Sequence, residues 1–211
     1  MKIAIIGASG KAGKLIMDEA RKRGHEVTGI VRNASKISGF PAVEKDIFEL
    51  TTEDLNKYDV VVNAFGAAPG EEHKHVEAGK TLIKALSGVE GTRLIVVGGA
   101  GSLYVDEAKT TKLIDTPEFP DLYKPTASNQ GKNLEDLKAS TDLKWTFVSP
   151  AATFDAEGTR SGSYQKGKDN LIVNAKGDSY ISYADYAIAI VDEIENPAHI
   201  GERFTVVGEQ I

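Results

Sequence analysis

A short β-branched run, Ile3 to Ile6, ends in Gly7-Ala8-Ser9-Gly10-Lys11-Ala12-Gly13, and a helical pattern begins inside that glycine spacing. Few local patterns restrict a fold as strongly. A buried strand that turns at once into a helix sets the helix N-terminus, with its unpaired N–H groups, at the carboxyl edge of a sheet, where it favours anionic oxygens. The first glycine permits the tight turn, the second lets backbone approach such an oxygen, and the third lets helix pack closely on strand. The spacing is GxxGxxG, not the GxGxxG of many dinucleotide-binding turns.

The same alternation continues along the chain. Ala12 to Arg23 carries Leu15, Ile16 and Ala20 on one side, pairs Asp18 with Lys22 and Glu19 with Arg23 at i,i+4, and stops at Gly24. Strands are predicted at Val27–Val31, Val43–Ile47, Asp59–Asn63, Leu94–Val97 and Trp145–Val148. Helices are predicted at Glu72–Leu86 and through Leu134 and Leu137 to Ser140. Uninterrupted apolar strands suit a sheet buried on both faces. Beyond Pro150, Ala151 to Lys168 is glycine-bearing and aperiodic, which reads as a functional excursion. Leu171-Ile172-Val173 then reads as a short strand. Ser182 caps a helix, with Asp185 three residues on and a buried stripe of Ala187, Ile188, Val191 and Ile194. Phe204 to Val207 closes the sheet. The expected class is α/β: a Rossmann-type doubly wound parallel sheet with a small C-terminal cap, one domain over residues 1–211 in which 151–211 supplies the cap on the substrate side.

Composition excludes several function classes. The 25 basic and 31 acidic residues leave a net charge of −6, so no general positive field exists to hold a nucleic acid or an anionic membrane surface. The absence of cysteine removes disulfides, thiolate metal sites and a cysteine nucleophile. No apolar run approaches the ~18 residues of a membrane span. A cytoplasmic protein with a small-molecule partner is expected, its oligomeric state, monomer or homodimer, left open. Glu71-Glu72-His73-Lys74-His75 does not read as a metal site, because His73 and His75 fall on different faces of a helix. No GxSxG nucleophile elbow occurs.

A dinucleotide-binding fold usually places an acid on the adenosine ribose at the end of the second strand, ~20 residues past the glycines. This chain has Arg32 there, with no Asp or Glu between Val27 and Lys36, and Lys36 and Lys11 add positive charge. A guanidinium holds a 2′-phosphate by charge-assisted hydrogen bonds, so NADP(H) is expected in preference to NAD(H).

GASGKAG after the first strand, Val31-Arg32-Asn33, Asp46-Ile47-Phe48 and Asn63-Ala64-Phe65-Gly66 resemble the atypical short-chain dehydrogenase/reductases. Tyr123-Lys124-Pro125-Thr126, Ser149-Pro150-Ala151, Gly162-Ser163-Tyr164 and Ile181-Ser182-Tyr183-Ala184-Asp185-Tyr186-Ala187 narrow the resemblance. They are similar to the NADH-flavin reductase-like branch, beside the NmrA-like proteins and biliverdin reductase B, over the whole chain. The resemblance implies that Gly7, Ala8, Ser9, Gly10, Lys11, Ala12 and Gly13 wrap a pyrophosphate and that Arg32 holds the adenosine phosphate. It further implies that Asp46 and Ile47 meet the adenine and that Asn63, Ala64, Phe65 and Gly66 pass under the ribose. Gly98 to Ser102, with Ser149, Pro150 and Ala151, would border the nicotinamide.

The chain departs from the larger superfamily in lacking a helical Tyr-x-x-x-Lys, whose ammonium lowers the phenol pKa. Tyr123 is followed at i+4 by Ala127, and Pro125 is expected to forbid a regular helix between them. Tyr164 and Lys168 have the spacing but lie among loop glycines, which makes the match a coincidence. Ser102, Tyr123 and Tyr164 are left as candidates for hydrogen-bonding an acceptor. The expected activity is NAD(P)H-dependent hydride transfer to a flavin, quinone or similar conjugated acceptor, for which the protein supplies orientation and a dry face. The alternative is an NmrA-like NAD(P)-binding redox sensor without turnover. An epimerase comes last, since it needs the missing Tyr–Lys pair.

Overall fold

A computed structural model describes all 211 residues. In chain order the elements are β1 Lys2–Ile6, α1 Lys11–Lys22, β2 Glu26–Val31, β3 Ala42–Glu44, α2 Thr52–Leu55, β4 Val60–Asn63, α3 Lys74–Leu86 and β5 Arg93–Val97. They continue as α4 Lys124–Ala139, β6 Trp145–Ser149, β7 Thr153–Asp155, β8 Gln165–Gly167, β9 Tyr180–Ser182, α5 Tyr183–Glu195 and β10 Glu202–Val207. Eight strands form one sheet in the order β3-β2-β1-β4-β5-β6-β10-β8. Every pairing is parallel except that of β8, which runs antiparallel to β10. β7 and β9 form a separate parallel pair.

Alternation along β1 sets up the layers. Ile3 and Ile5 face the core shared with α1 and α5, where Ile16, Met17, Tyr186 and Ile190 are buried. Ala4 and Ile6 face the opposite core, against Leu82 of α3 and Leu134 and Leu137 of α4. A sheet covered on both faces needs strands apolar on both, as Val60-Val61-Val62 is. The architecture is therefore the doubly wound Rossmann-type α/β fold. Strand order reverses between β1 and β4, and the crevice outside their carboxyl ends is where such sheets hold ligands.

Three local expectations are corrected. The third strand stops at Glu44, because Asp46 caps a short 3-10 turn, Ile47–Glu49, by accepting from the Phe48 N–H at 3.1 Å. Leu171–Val173 is not a strand: the Leu171 N–H is taken by the Tyr104 carbonyl, and Gln165–Gly167 occupies the sheet edge instead. Pro125 does not prevent a helix. It sits in the first turn of α4, where the missing N–H would have had no partner. α5 meets expectation at its start, the Ser182 hydroxyl accepting from the Asp185 N–H at 3.0 Å, but is buried nearly all round.

Candidate functional site: a cleft at the carboxyl edge of the sheet

A cleft of about 1360 Å³ runs across the strand ends at the β1/β4 switch point. Gly7 turns there with φ +73°, and a methyl on it would stand 2.5 Å from the Ala64 carbonyl oxygen. A methyl on Gly13 would stand 2.4 Å from the Gly7 carbonyl oxygen, so α1 reaches β1 only because position 13 has no side chain. Gly10 N–H closes the turn on Gly7 C=O at 2.9 Å, and Lys14 N–H bonds back to Gly10 C=O at 3.0 Å. The N–H groups of Ser9, Lys11, Ala12 and Gly13 have no acceptor within the chain. This cluster of donors at the positive end of a helix, approached by backbone alone, fits a pyrophosphate.

Four cations line the cleft, and three are engaged. Lys11 pairs with Glu157 of the segment after β7, Lys45 with Asp54 at 2.7 Å, and Lys74 with Glu71 at 2.6 Å. Bonding to Glu157 raises the pKa of the Lys11 ammonium. Bonding to Lys74 holds the Glu71 carboxyl below the usual range. Arg32, exposed at the end of β2, makes no ion pair and projects an unpartnered guanidinium at the cleft wall. Lys36 does not line the cleft. Asp46 and Ile47 do, but the Asp46 carboxylate is held by its own 3-10 turn. Asn63 is buried behind the wall, its side-chain oxygen accepting from Phe65 N–H at 3.1 Å, while Ala64, Phe65 and Gly66 face the opening. Phe65 stands edge-on to Phe48 and to His75, at 5.8 and 5.6 Å between centroids. Burial lowers the pKa of His75, and its Nε2 accepts from Ala67 N–H at 3.5 Å.

The other half of the cleft lies over β5 and β6. The turn Gly98-Gly99-Ala100-Gly101 packs tightly from behind: a methyl on Gly98 would enter the Phe147 ring at 2.2 Å, and one on Gly99 would strike the Gln130 amide oxygen at 2.1 Å. Pro150, Ala151 and Phe154 face this turn's side of the opening, with the Tyr183 ring packed on Phe154 at 4.0 Å between centroids, tilted by 37°. Burial raises the pKa of the Tyr183 phenol. Tyr123, mostly exposed, stands at the mouth.

Two of the three residues expected to touch an acceptor are placed elsewhere. Ser102 is buried behind the turn, its Oγ accepting from Arg203 Nη1 at 3.0 Å. The Tyr164 hydroxyl donates to Asp192 Oδ2 at 2.8 Å on the outer side of α5, and burial there pushes its pKa well up. Lys168 lies instead toward Glu202, 4.0 Å away, so Tyr164 and Lys168 form no couple. The sequence reading missed Gln130, Phe154 and Tyr183 as lining groups and Arg203 as the buried clamp behind them. Of these, only Tyr183 had a signal, as the first helical residue after the Ser182 cap.

A family model described as NAD(P)H-binding matches residues 7–197. The protein YwnB of Bacillus subtilis is 69% identical over 211 residues, covering 99% of both chains. A solved structure from Streptococcus pneumoniae, provisionally assigned as an NADH-flavin reductase, is 48% identical with a TM-score of 0.95, covering 99% of this chain and all of that one. Another from Bacteroides thetaiotaomicron, provisionally assigned as an epimerase, is 33% identical with a TM-score of 0.86, covering 100% of this chain and 98% of that one.

Proposed function

Because the chain belongs to the NAD(P)H-binding family, we propose that it is an NAD(P)H-dependent reductase which takes NADP(H) in preference to NAD(H) and passes hydride to a flavin, quinone or similar conjugated acceptor. The observation that carries the reading is the glycine turn, whose missing side chains let α1 close on β1 and whose unpaired N–H donors are thereby gathered at the helix N-terminus facing the cleft. In this reading the backbone of Gly7 to Gly13 holds the pyrophosphate and Arg32 the 2′-phosphate. Ile47 and the Ala64–Gly66 segment wall the adenosine, and Gly98, Pro150 and Ala151 border the nicotinamide. When bound, the dinucleotide supplies the hydride, and the chain's part is to orient it and exclude water from one face.

The lining groups support a conjugated acceptor over an alcohol or a nucleotide-linked sugar. Tyr123 and Tyr183 are followed at i+4 by Ala127 and Ala187, so neither phenol has a lysine at that spacing, and burial outweighs the pull of Lys11 and keeps the Tyr183 phenol raised. The name of the Streptococcus pneumoniae relative points the same way. The test is steady-state oxidation of NADPH and NADH by the purified protein with FMN, riboflavin and a quinone offered in parallel. Turnover favouring NADPH is expected. Tight dinucleotide binding with no turnover on any acceptor would overturn the reductase reading in favour of a sensor.

A further inference from the structure

The charges of the cleft are segregated by function. Its four cations, Lys11, Arg32, Lys45 and Lys74, all stand on the glycine turn, the ends of β2 and β3, and α3, the half assigned above to the adenosine and pyrophosphate. The half over β5, β6 and α4 has no Lys, Arg or His of its own, and its one charged side chain is the exposed Glu118; Lys11, which acts on the Tyr183 phenol from the glycine turn, is paired with Glu157. Lys124, just outside it, is neutralised by Asp121 at 2.6 Å. What this half offers instead is rings, Phe119, Tyr123, Phe154 and Tyr183, and two uncharged groups, the Thr126 hydroxyl and the Gln130 amide, that bond to nothing else in the chain.

We propose that the acceptor is an uncharged planar conjugated ring system bearing carbonyls and no phosphate, sulfonate or carboxylate. The proposal rests on the reductase reading and narrows it. An anionic substituent brought into this half would leave water without a cationic partner and would face Glu118. A neutral ring gains stacking on the aromatic side chains, and the Thr126 hydroxyl and Gln130 amide supply donors for its carbonyl oxygens. In the overall balance the ring gains a hydride from the reduced dinucleotide, two electrons and one proton, and a second proton from water at the open mouth. The products are the dihydro ring and the oxidised dinucleotide.

Acceptor pairs differing only in charge test this: riboflavin against FMN, and a naphthoquinone against its sulfonate, each with NADPH at low salt. kcat/KM is measured for all four, and quenching of riboflavin and FMN fluorescence is titrated separately with NADP⁺ present. The expected result is a preference of about tenfold or more for the neutral member of each pair, in turnover and in quenching alike. Glu118→Lys should narrow the gap about threefold, as expected for one exposed charge. Turnover as efficient on FMN and the sulfonate as on their neutral partners would overturn the proposal and leave the reductase reading standing. Selective quenching of riboflavin without turnover would keep the chemistry of the site and overturn the reductase reading. Neither quenching nor turnover would overturn both.

Discussion

Arg32 is the one cation of the cleft without a carboxylate partner, so a ligand phosphate gains its charge without first breaking an ion pair. Charge-assisted hydrogen bonds contribute about 1.5–3 kcal/mol each. Arg32→Ala should therefore weaken NADP⁺ binding by about 10- to 150-fold in a calorimetric titration and leave NAD⁺ within about twofold. Equal losses for both dinucleotides would remove the 2′-phosphate from its role. Gly13 poses a steric test. A methyl there meets the Gly7 carbonyl oxygen at 2.4 Å, and neither a Cβ nor a backbone oxygen can swing away. Gly13→Ala should cost about 1–3 kcal/mol in urea unfolding by overpacking. Any folded fraction should have lost dinucleotide affinity, because the turn must open. Both residues were legible from sequence, since their chemistry is local: a glycine that must be a glycine, and a base where an acid is customary. Ser102 and Tyr164 were not. Their hydroxyls answer to Arg203 and Asp192, 101 and 28 residues away, and no local pattern announces such a partner.

At the scale of elements, the strands that could be read from sequence are those with buried apolar runs, β1, β2, β4, β5, β6 and β10. The edge was not legible. β8 is Gln165-Lys166-Gly167, polar and short, and it pairs with β10 because its backbone is brought there. Asp185 does much to bring it. This buried carboxylate, on the first turn of α5, accepts from Ser161 N–H at 3.1 Å, Ser161 Oγ at 2.7 Å and Gly162 N–H at 2.8 Å, folding the excursion back over the helix. The sequence suggested only its place beside the Ser182 cap. Asp185→Asn keeps the shape, removes the charge and turns one acceptor into a donor facing donors. It should cost about 1–3 kcal/mol in urea, with new proteolytic cleavage confined to residues 158–164. Cleavage spread evenly over the chain would mean that Asp185 supports α5 and not the excursion.

Across the whole molecule, buried carboxylates tie the excursion and α5 to the Rossmann core. Glu19 of α1, nearly inaccessible, accepts from Arg23 at 2.9 Å and from Arg160 of the excursion at 2.7 Å. Arg23 also reaches Asp192 and Glu195 of α5, at 2.6 and 2.9 Å. The bond from Arg160 is the main cause that holds the Glu19 carboxyl below its ordinary value of 4.5; burial opposes it, and Arg23 adds to it. A carboxyl lowered on folding binds fewer protons in the folded chain than in the unfolded one. Its contribution is complete above about pH 4.5 and is lost as the pH falls through the lower, folded value. Stability measured by urea should thus hold level above pH 5 and decline below about 4.5. Arg160→Met keeps the aliphatic stem, and because Arg160 is 42% exposed its loss near neutrality should be only about 0.5–1 kcal/mol. The acid limb should become shallower in this variant, since Glu19 then titrates closer to its unfolded value. An unchanged slope would show that Arg23 alone sets the state of Glu19, and that the excursion is held over α5 by Asp185 without help from this pair.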